Sequence, residues 1–250
     1  MPAPRIETVF FDVGGTILRV QPSVGAVYAA TAQEHGFEIA PEVIEREFRA
    51  AWKHSLERGR VRGFRSSDEI LRGEWFEIVR DTFKNMVPAS RLPALFVDLY
   101  ERFASAQAWR LVPGIRATLR YLRGEGVRLG VLSNWDSRLQ RMLLELDLES
   151  SFDLMVISHD VGYEKPHAAI FEDALRLSGS APSRTLHVGD SFEADIKPAR
   201  ALGIQTLWVA THRERAAEED AGPGVDQLPE EPLPFWGSTL HGAKANISLR

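Results

Sequence analysis

The chain has 250 residues, 44% of them hydrophobic and 26% charged, with a formal net charge of −5. That length suits one large domain or two smaller ones, and the acidic balance gives a nucleic-acid partner no electrostatic support. Cysteine is absent, which excludes disulfides, thiolate metal sites and cysteine nucleophiles; no apolar run reaches the ~18 residues of a membrane span, and the N-terminal stretch lacks a signal-peptide core, so a soluble cytoplasmic protein is expected.

Residues 8–11, Thr-Val-Phe-Phe, are a short apolar run that predicts a strand. The strand delivers Asp12 to its C-terminal end, and Gly14, Gly15 and Thr16 follow at once. A lone carboxylate followed by Gly-Gly-Thr places a nucleophile or metal ligand on a loop that can approach phosphate closely. Residues 21–108 then read as helical throughout. Spans 23–35, 41–54, 67–83 and 92–103 carry apolar residues at helical spacing, such as Val24, Val27, Tyr28 and Thr31 in the first. Pro41 suits a helix start. A basic loop over 57–65, with Arg58, Arg60, Arg62 and Arg65, separates the second and third spans.

From Leu111 onward helix and strand alternate. Strands are predicted over 127–132, 154–157, 185–188 and 205–209, and helices over 115–123, 137–146, 167–177 and 192–202. Such alternation implies βα units around a parallel sheet, which the first strand joins. The predicted fold is therefore α/β: a three-layer Rossmann-like core with a parallel sheet, from residues 1–18 and 109–212, plus an inserted all-helical unit over 19–108. Residues 213–250 lose periodicity and are predicted to be partly disordered.

Four polar features fall at the C-terminal ends of predicted strands: Asp12 with Thr16, Ser133-Asn134, Lys165-Pro166, and Gly189-Asp190 through Asp195. In open α/β sheets ligands bind outside those ends, so the four predict one site.

These features, in this order, resemble the motifs of the haloacid dehalogenase superfamily. FFDVGGTIL is similar to the first motif, VLSN to the second, EKPHAAIF to the third and HVGDSFEADIKPARALG to the fourth. The helical insertion sits where helical-cap members of subfamily I carry their cap, and the first motif with SNWDSRL looks closest to the REG-2-like branch. The resemblance covers roughly residues 6–210. It implies a hydrolase, mostly of phosphate esters, with Mg²⁺ as cofactor and a small phosphorylated metabolite as substrate. Asp12 would be the nucleophile that forms an aspartyl-phosphate. Ser133, Asn134 and Thr16 would bind phosphoryl oxygens, and Lys165 would neutralise charge on nucleophile and phosphoryl group. Asp12, the carbonyl of Gly14, Asp190 and Asp195 would form the metal site. Neither nucleic acid nor membrane is an expected partner, and oligomeric state stays open.

Gly14 departs from the pattern. The family's phosphatases carry there a second aspartate that protonates the leaving alcohol and activates water. General acid–base help is typically worth ~10²–10⁴ in rate, so its loss implies weak or specialised turnover, or a non-catalytic binding or regulatory protein on the same scaffold. A good leaving group needs no acid; otherwise Asp136, Glu193, His159 or Asp160 would have to supply the proton, although solvated-loop and capping roles suit each of them. Dehalogenases of the family also lack that aspartate but use no metal, which the acidic spacing of GDSFEAD disfavours. Its phosphonatases need a cap lysine, for which only Lys53 and Lys84 are available. His187 is expected to be a core histidine, and Trp52, Trp75 and Trp109 to pack within the cap or against the core. The arginines of 57–65 form a solvated turn or meet an anionic substrate when the cap closes.

Overall fold

The computed structural model describes residues 5–209 and the backbone of 224–225. In chain order the first half contains β1 (Thr8–Phe11), β2 (Leu18–Val20), α1 (Val24–Glu34), α2 (Pro41–Val61), α3 (Asp68–Thr82), α4 (Leu92–Ala104) and β3 (Trp109–Leu111). The second half contains α5 (Ile115–Gly124), β4 (Arg128–Ser133), α6 (Arg138–Glu145), β5 (Leu154–Ile157), α7 (Ser158–Val161), α8 (Ala168–Ser178), β6 (Thr185–Gly189), α9 (Lys197–Ala201), β7 (Gln205–Val209) and β8 (Gly224–Val225).

The apolar runs of the second half join β1 in a six-stranded sheet of order β5-β4-β1-β6-β7-β8. Every pairing in it is parallel. Both faces of β1 and β6 are buried, which is why these strands read as continuous apolar runs rather than as alternations. The two-residue period still sorts them: Val9 and Phe11 face a cluster with Ile115, Leu119, Leu139 and Met142, whereas Phe10 faces Ile170, Phe171 and Ala199. The chain leaves β1 for β4 and β5 on one side and returns to β6 and β7 on the other. The strand order thus reverses at the C-terminal end of β1, where a crevice opens in such sheets.

Between β2 and β3, which pair antiparallel, lie α1 to α4. They enclose a separate apolar cluster that includes Tyr28, Ile44, Val79, Phe83, Leu95, Leu99 and Phe103. Ser23 and Ser67 cap α1 and α3 by accepting from the amides of Ala26 and Ile70.

Several local readings change. The helix expected over 41–54 continues to Val61, so half of the supposed basic loop is helical. Its charges support that extension, since Arg58 pairs with Glu74 and Asp81 across to α3. The ribbon of β2 and β3 is too short to leave a periodic signal. The helix expected over 192–202 begins as a wide π-type turn, Phe192–Ile196, before α9. Residues 224–225 add a strand beside β7, inside the segment expected to be partly disordered; the rest of 213–250 lies outside the described residues. Among the described residues no helix is long and apolar enough to cross a membrane.

Candidate active site

Asp12 leaves β1 with its amide bonded to the Val188 carbonyl (2.9 Å), which fixes the strand end against β6. Val13 is fully buried in the core, which anchors the loop that carries Asp12 and Gly14. Ser133, the last residue of β4, donates from Oγ to Asp12 Oδ1 at 3.0 Å. Lys165 Nζ donates to the same Asp12 oxygen (2.7 Å) and to Asp195 Oδ1 (2.5 Å). Asn134 holds the lysine's backbone in a two-way clasp: its Nδ2 donates to the Lys165 carbonyl (2.9 Å) and its Oδ1 accepts from the Lys165 amide (2.6 Å). Asp195 also accepts from His187 Nε2 (2.9 Å) and from the Ser191 amide (3.0 Å). The motifs that lie far apart in sequence thus close into one buried network.

Two glycines make the network possible. Gly15 has φ +90°, and a Cβ there would lie 2.1 Å from Asp190 Oδ2. At Gly189 a Cβ would lie 2.3 Å from Asp195 Cγ. Gly14 differs from both. Its backbone is unstrained, and a Cβ would make ordinary contact, 3.5 Å from the Trp135 ring.

Charge in the site is unbalanced. One oxygen each from Asp12, Asp190 and Asp195 can be chosen so that all three lie within 4.8 Å of one another, with a single lysine among them. Burial raises the Asp12 carboxyl above its ordinary value; Lys165 opposes that rise and Asp195 adds to it. Asp190 retains accessible surface, yet its carboxyl is crowded by Gly15. Burial, then the charges of Asp12 and Asp195, push it well above the usual carboxylate range. Burial also acts against an ionised Asp195, but Lys165 and His187 outweigh it and hold that group below the usual range. Lys165, whose burial alone would lower it, is raised by Asp12 and Asp195 and stays charged. This all-oxygen donor set with surplus negative charge could hold a hard divalent cation.

Thr16 is fully buried, and its hydroxyl has no partner among the described residues. The substitutes considered for the missing acid are engaged elsewhere. Asp136 accepts from Tyr100 and from the Arg138 guanidinium and amide. Glu193 pairs with Lys197 on the surface, and His159 lies between Asp68 and Asp160. Lys53 and Lys84 are exposed. Arg62 binds Glu74 and Glu164, and Arg65 stacks on Tyr163, so these two arginines tie the helical unit to the loop between α7 and α8. Trp75 and Trp109 pack in the apolar clusters as expected, whereas Trp52 is 45% exposed beside Phe48.

His187 is a buried residue, as its strand suggested, and also a direct partner of Asp195. The two-residue period of β6, which puts it on the same face as Gly189, carried that signal. Trp135 escaped notice altogether, although it directly follows the Ser133-Asn134 pair at the end of β4.

Residues 6–203 match the family model described as haloacid dehalogenase-like hydrolase. The haloacid dehalogenase-like hydrolase domain-containing protein 3 of Bos taurus is 32% identical over 234 residues, covering 91% of this chain and 89% of the relative. A glyceraldehyde 3-phosphate phosphatase of Methanothermobacter thermautotrophicus is 39% identical over 120 residues, covering 46% of this chain and 53% of the relative. Among solved structures, the putative HAD-hydrolase YfnB of Bacillus subtilis, bound to magnesium, superimposes with a TM-score of 0.69 at 20% identity, covering 98% of this chain and all of that one. A sequence match across most of the chain and a shared fold, with the four polar strand ends gathered into one network, lead to a single assignment: the chain belongs to the haloacid dehalogenase-like hydrolases.

Proposed function

We propose that this hydrolase is a Mg²⁺-dependent phosphatase that acts on a small phosphorylated metabolite through an aspartyl-phosphate at Asp12, with turnover weakened or specialised by Gly14. The observation that carries this reading is the convergence of Ser133 and Lys165 on one oxygen of Asp12. Oδ1 is thereby held, while Oδ2 has no hydrogen-bond partner among the described residues and is the atom suited to attack phosphorus. Ser133 and Lys165 then pass their hydrogen bonds to the phosphoryl oxygens as charge develops there. Asn134 keeps the lysine's main chain in place. The relative that dephosphorylates a three-carbon phosphate supports a substrate of that size class.

Asp12, Asp190, Asp195 and the Gly14 carbonyl are the groups that would hold the cation. When bound, Mg²⁺ offsets the surplus carboxylate charge and draws charge off the phosphoryl group. Residues 19–108 would act as a cap over a core made of 1–18 and 109–212, held to it in part by the Arg62–Glu164 pair.

Acetyl phosphate turnover with Mg²⁺ tests the reading. Asp12→Asn should abolish it and chelation should suppress it. Turnover that is absent from the parent protein, or unaffected by Asp12→Asn, would instead favour a binding or regulatory role on this scaffold. The phosphonatase alternative gains nothing from the geometry, because both candidate lysines are solvated.

A further inference from the structure

We propose that Gly14 and Trp135 together select phosphates whose leaving group is flat and acidic enough to depart unprotonated: phosphorylated carboxylic acids or acidic phenols. The inference rests on the phosphatase reading and names its substrate class.

Gly14 stands two residues past the nucleophile, on the loop that follows β1. What meets that point is Trp135. Its ring atom Cζ3 lies 3.5 Å from a Cβ placed on Gly14, and no other heavy atom of the described residues, chain neighbours aside, comes within 4 Å. Trp135 is held through its main chain and through its ring. The Trp135 amide donates to Ser158 Oγ (3.1 Å), and the Trp135 carbonyl accepts from that hydroxyl (3.1 Å) and from the His159 amide (3.3 Å). Its ring packs on Trp109 at a centroid distance of 5.2 Å. The indole edge therefore forms an apolar wall beside the space that an acid at position 14 would enter. Asp136, next in sequence, is turned away to Tyr100 and Arg138.

Such a wall cannot deliver a proton, but it can stack a planar group. Asp12 Oδ2 attacks phosphorus, the bond from phosphorus to the leaving oxygen breaks, and its electron pair stays on that oxygen. The group leaves as a carboxylate or an acidic phenolate beside the indole. Water then adds to phosphorus, the bond to Oδ2 breaks with its electron pair returning to Asp12, and the water's proton goes to the released phosphate.

The test compares kcat/KM with Mg²⁺ for acetyl, 4-nitrophenyl, phenyl and ethyl phosphate. Acetyl and nitrophenyl phosphate are expected to turn over. Phenyl phosphate should be at least about 10²-fold slower and ethyl phosphate slower still, because no acid offsets the poorer leaving group. Trp135→Ala should lower the nitrophenyl-to-acetyl ratio about tenfold, and Trp135→Phe should restore most of it. Trp135→Leu, which keeps bulk without a π face, replaces Trp135→Ala should the latter fail to fold. Equal rates for phenyl, ethyl and nitrophenyl phosphate would reveal a proton donor and overturn the inference. So would an unchanged nitrophenyl-to-acetyl ratio in Trp135→Ala or Trp135→Leu, while the phosphatase reading would survive. Absence of Asp12-dependent turnover on all four compounds would overturn both.

Discussion

Lys165→Met removes the one cation from a network of three carboxylates. The lysine forms two buried ion pairs, 2.7 Å to Asp12 and 2.5 Å to Asp195, and each of the three side chains is less than 10% exposed. Breaking one buried pair by deleting a partner typically costs about 3–5 kcal/mol. Protonation sets a ceiling on that cost. Once the lysine is gone, a carboxyl can take up a proton instead of standing uncompensated. Each pH unit above its ordinary value of 3.8 makes that uptake about 1.4 kcal/mol dearer. At pH 7 the ceiling is about 4 kcal/mol, and at pH 5 it falls below about 2 kcal/mol. Urea unfolding of the variant against the parent protein should therefore show a deficit of about 3–4 kcal/mol at pH 7 that at least halves by pH 5. Millimolar Mg²⁺ should stabilise the variant itself by about 2.7 kcal/mol at a hundredfold excess over its dissociation constant. A variant as stable as the parent at pH 7, or a deficit that does not change with pH, would refute the charge balance drawn from these contacts.

Two further substitutions probe the surroundings of that network. Arg62→Met strands Glu164, leaves Glu74 with Arg58 alone, and should cost about 2–3 kcal/mol at pH 7 by urea unfolding. Burial foremost, against the pull of Arg62, raises the folded pKa of Glu164 above 4.5. Its ionisation therefore costs stability, in full above that raised value and not at all below 4.5. The Arg62→Met deficit should accordingly shrink as pH falls toward 4.5, and a deficit that grew on acidification would contradict the sign. His187→Leu deletes a hydrogen bond to a buried carboxylate and should cost about 1.5–3 kcal/mol; unchanged stability would mean that the imidazole only fills space.

Most of the sheet and the identity of the site were legible in the chain. Short apolar runs bounded by glycine and polar residues give β1, β5 and β7 their observed limits, because parallel strands buried on both faces leave that pattern. The four polar strand ends converge because strand order reverses at β1. What escaped lacks a local signal. The ribbon of β2 and β3 exists only through a pairing about ninety residues apart. The continuation of α2 depends on Glu74 and Asp81 from another helix, so Arg58 and Arg62 looked like loop charges. Periodicity could mark His187 as buried but could not name its partner, and Trp135 acquires meaning only from the empty space at Gly14.

The central claim is that Asp12 accepts a phosphoryl group. Incubation with acetyl phosphate and Mg²⁺, followed by rapid acid quench and peptide mass spectrometry, measures this directly. The account requires one added phosphoryl group on the peptide that contains Asp12, discharged by hydroxylamine and missing in Asp12→Asn. An unmodified Asp12 peptide in a sample that is demonstrably hydrolysing acetyl phosphate, or the same label in Asp12→Asn, would contradict it.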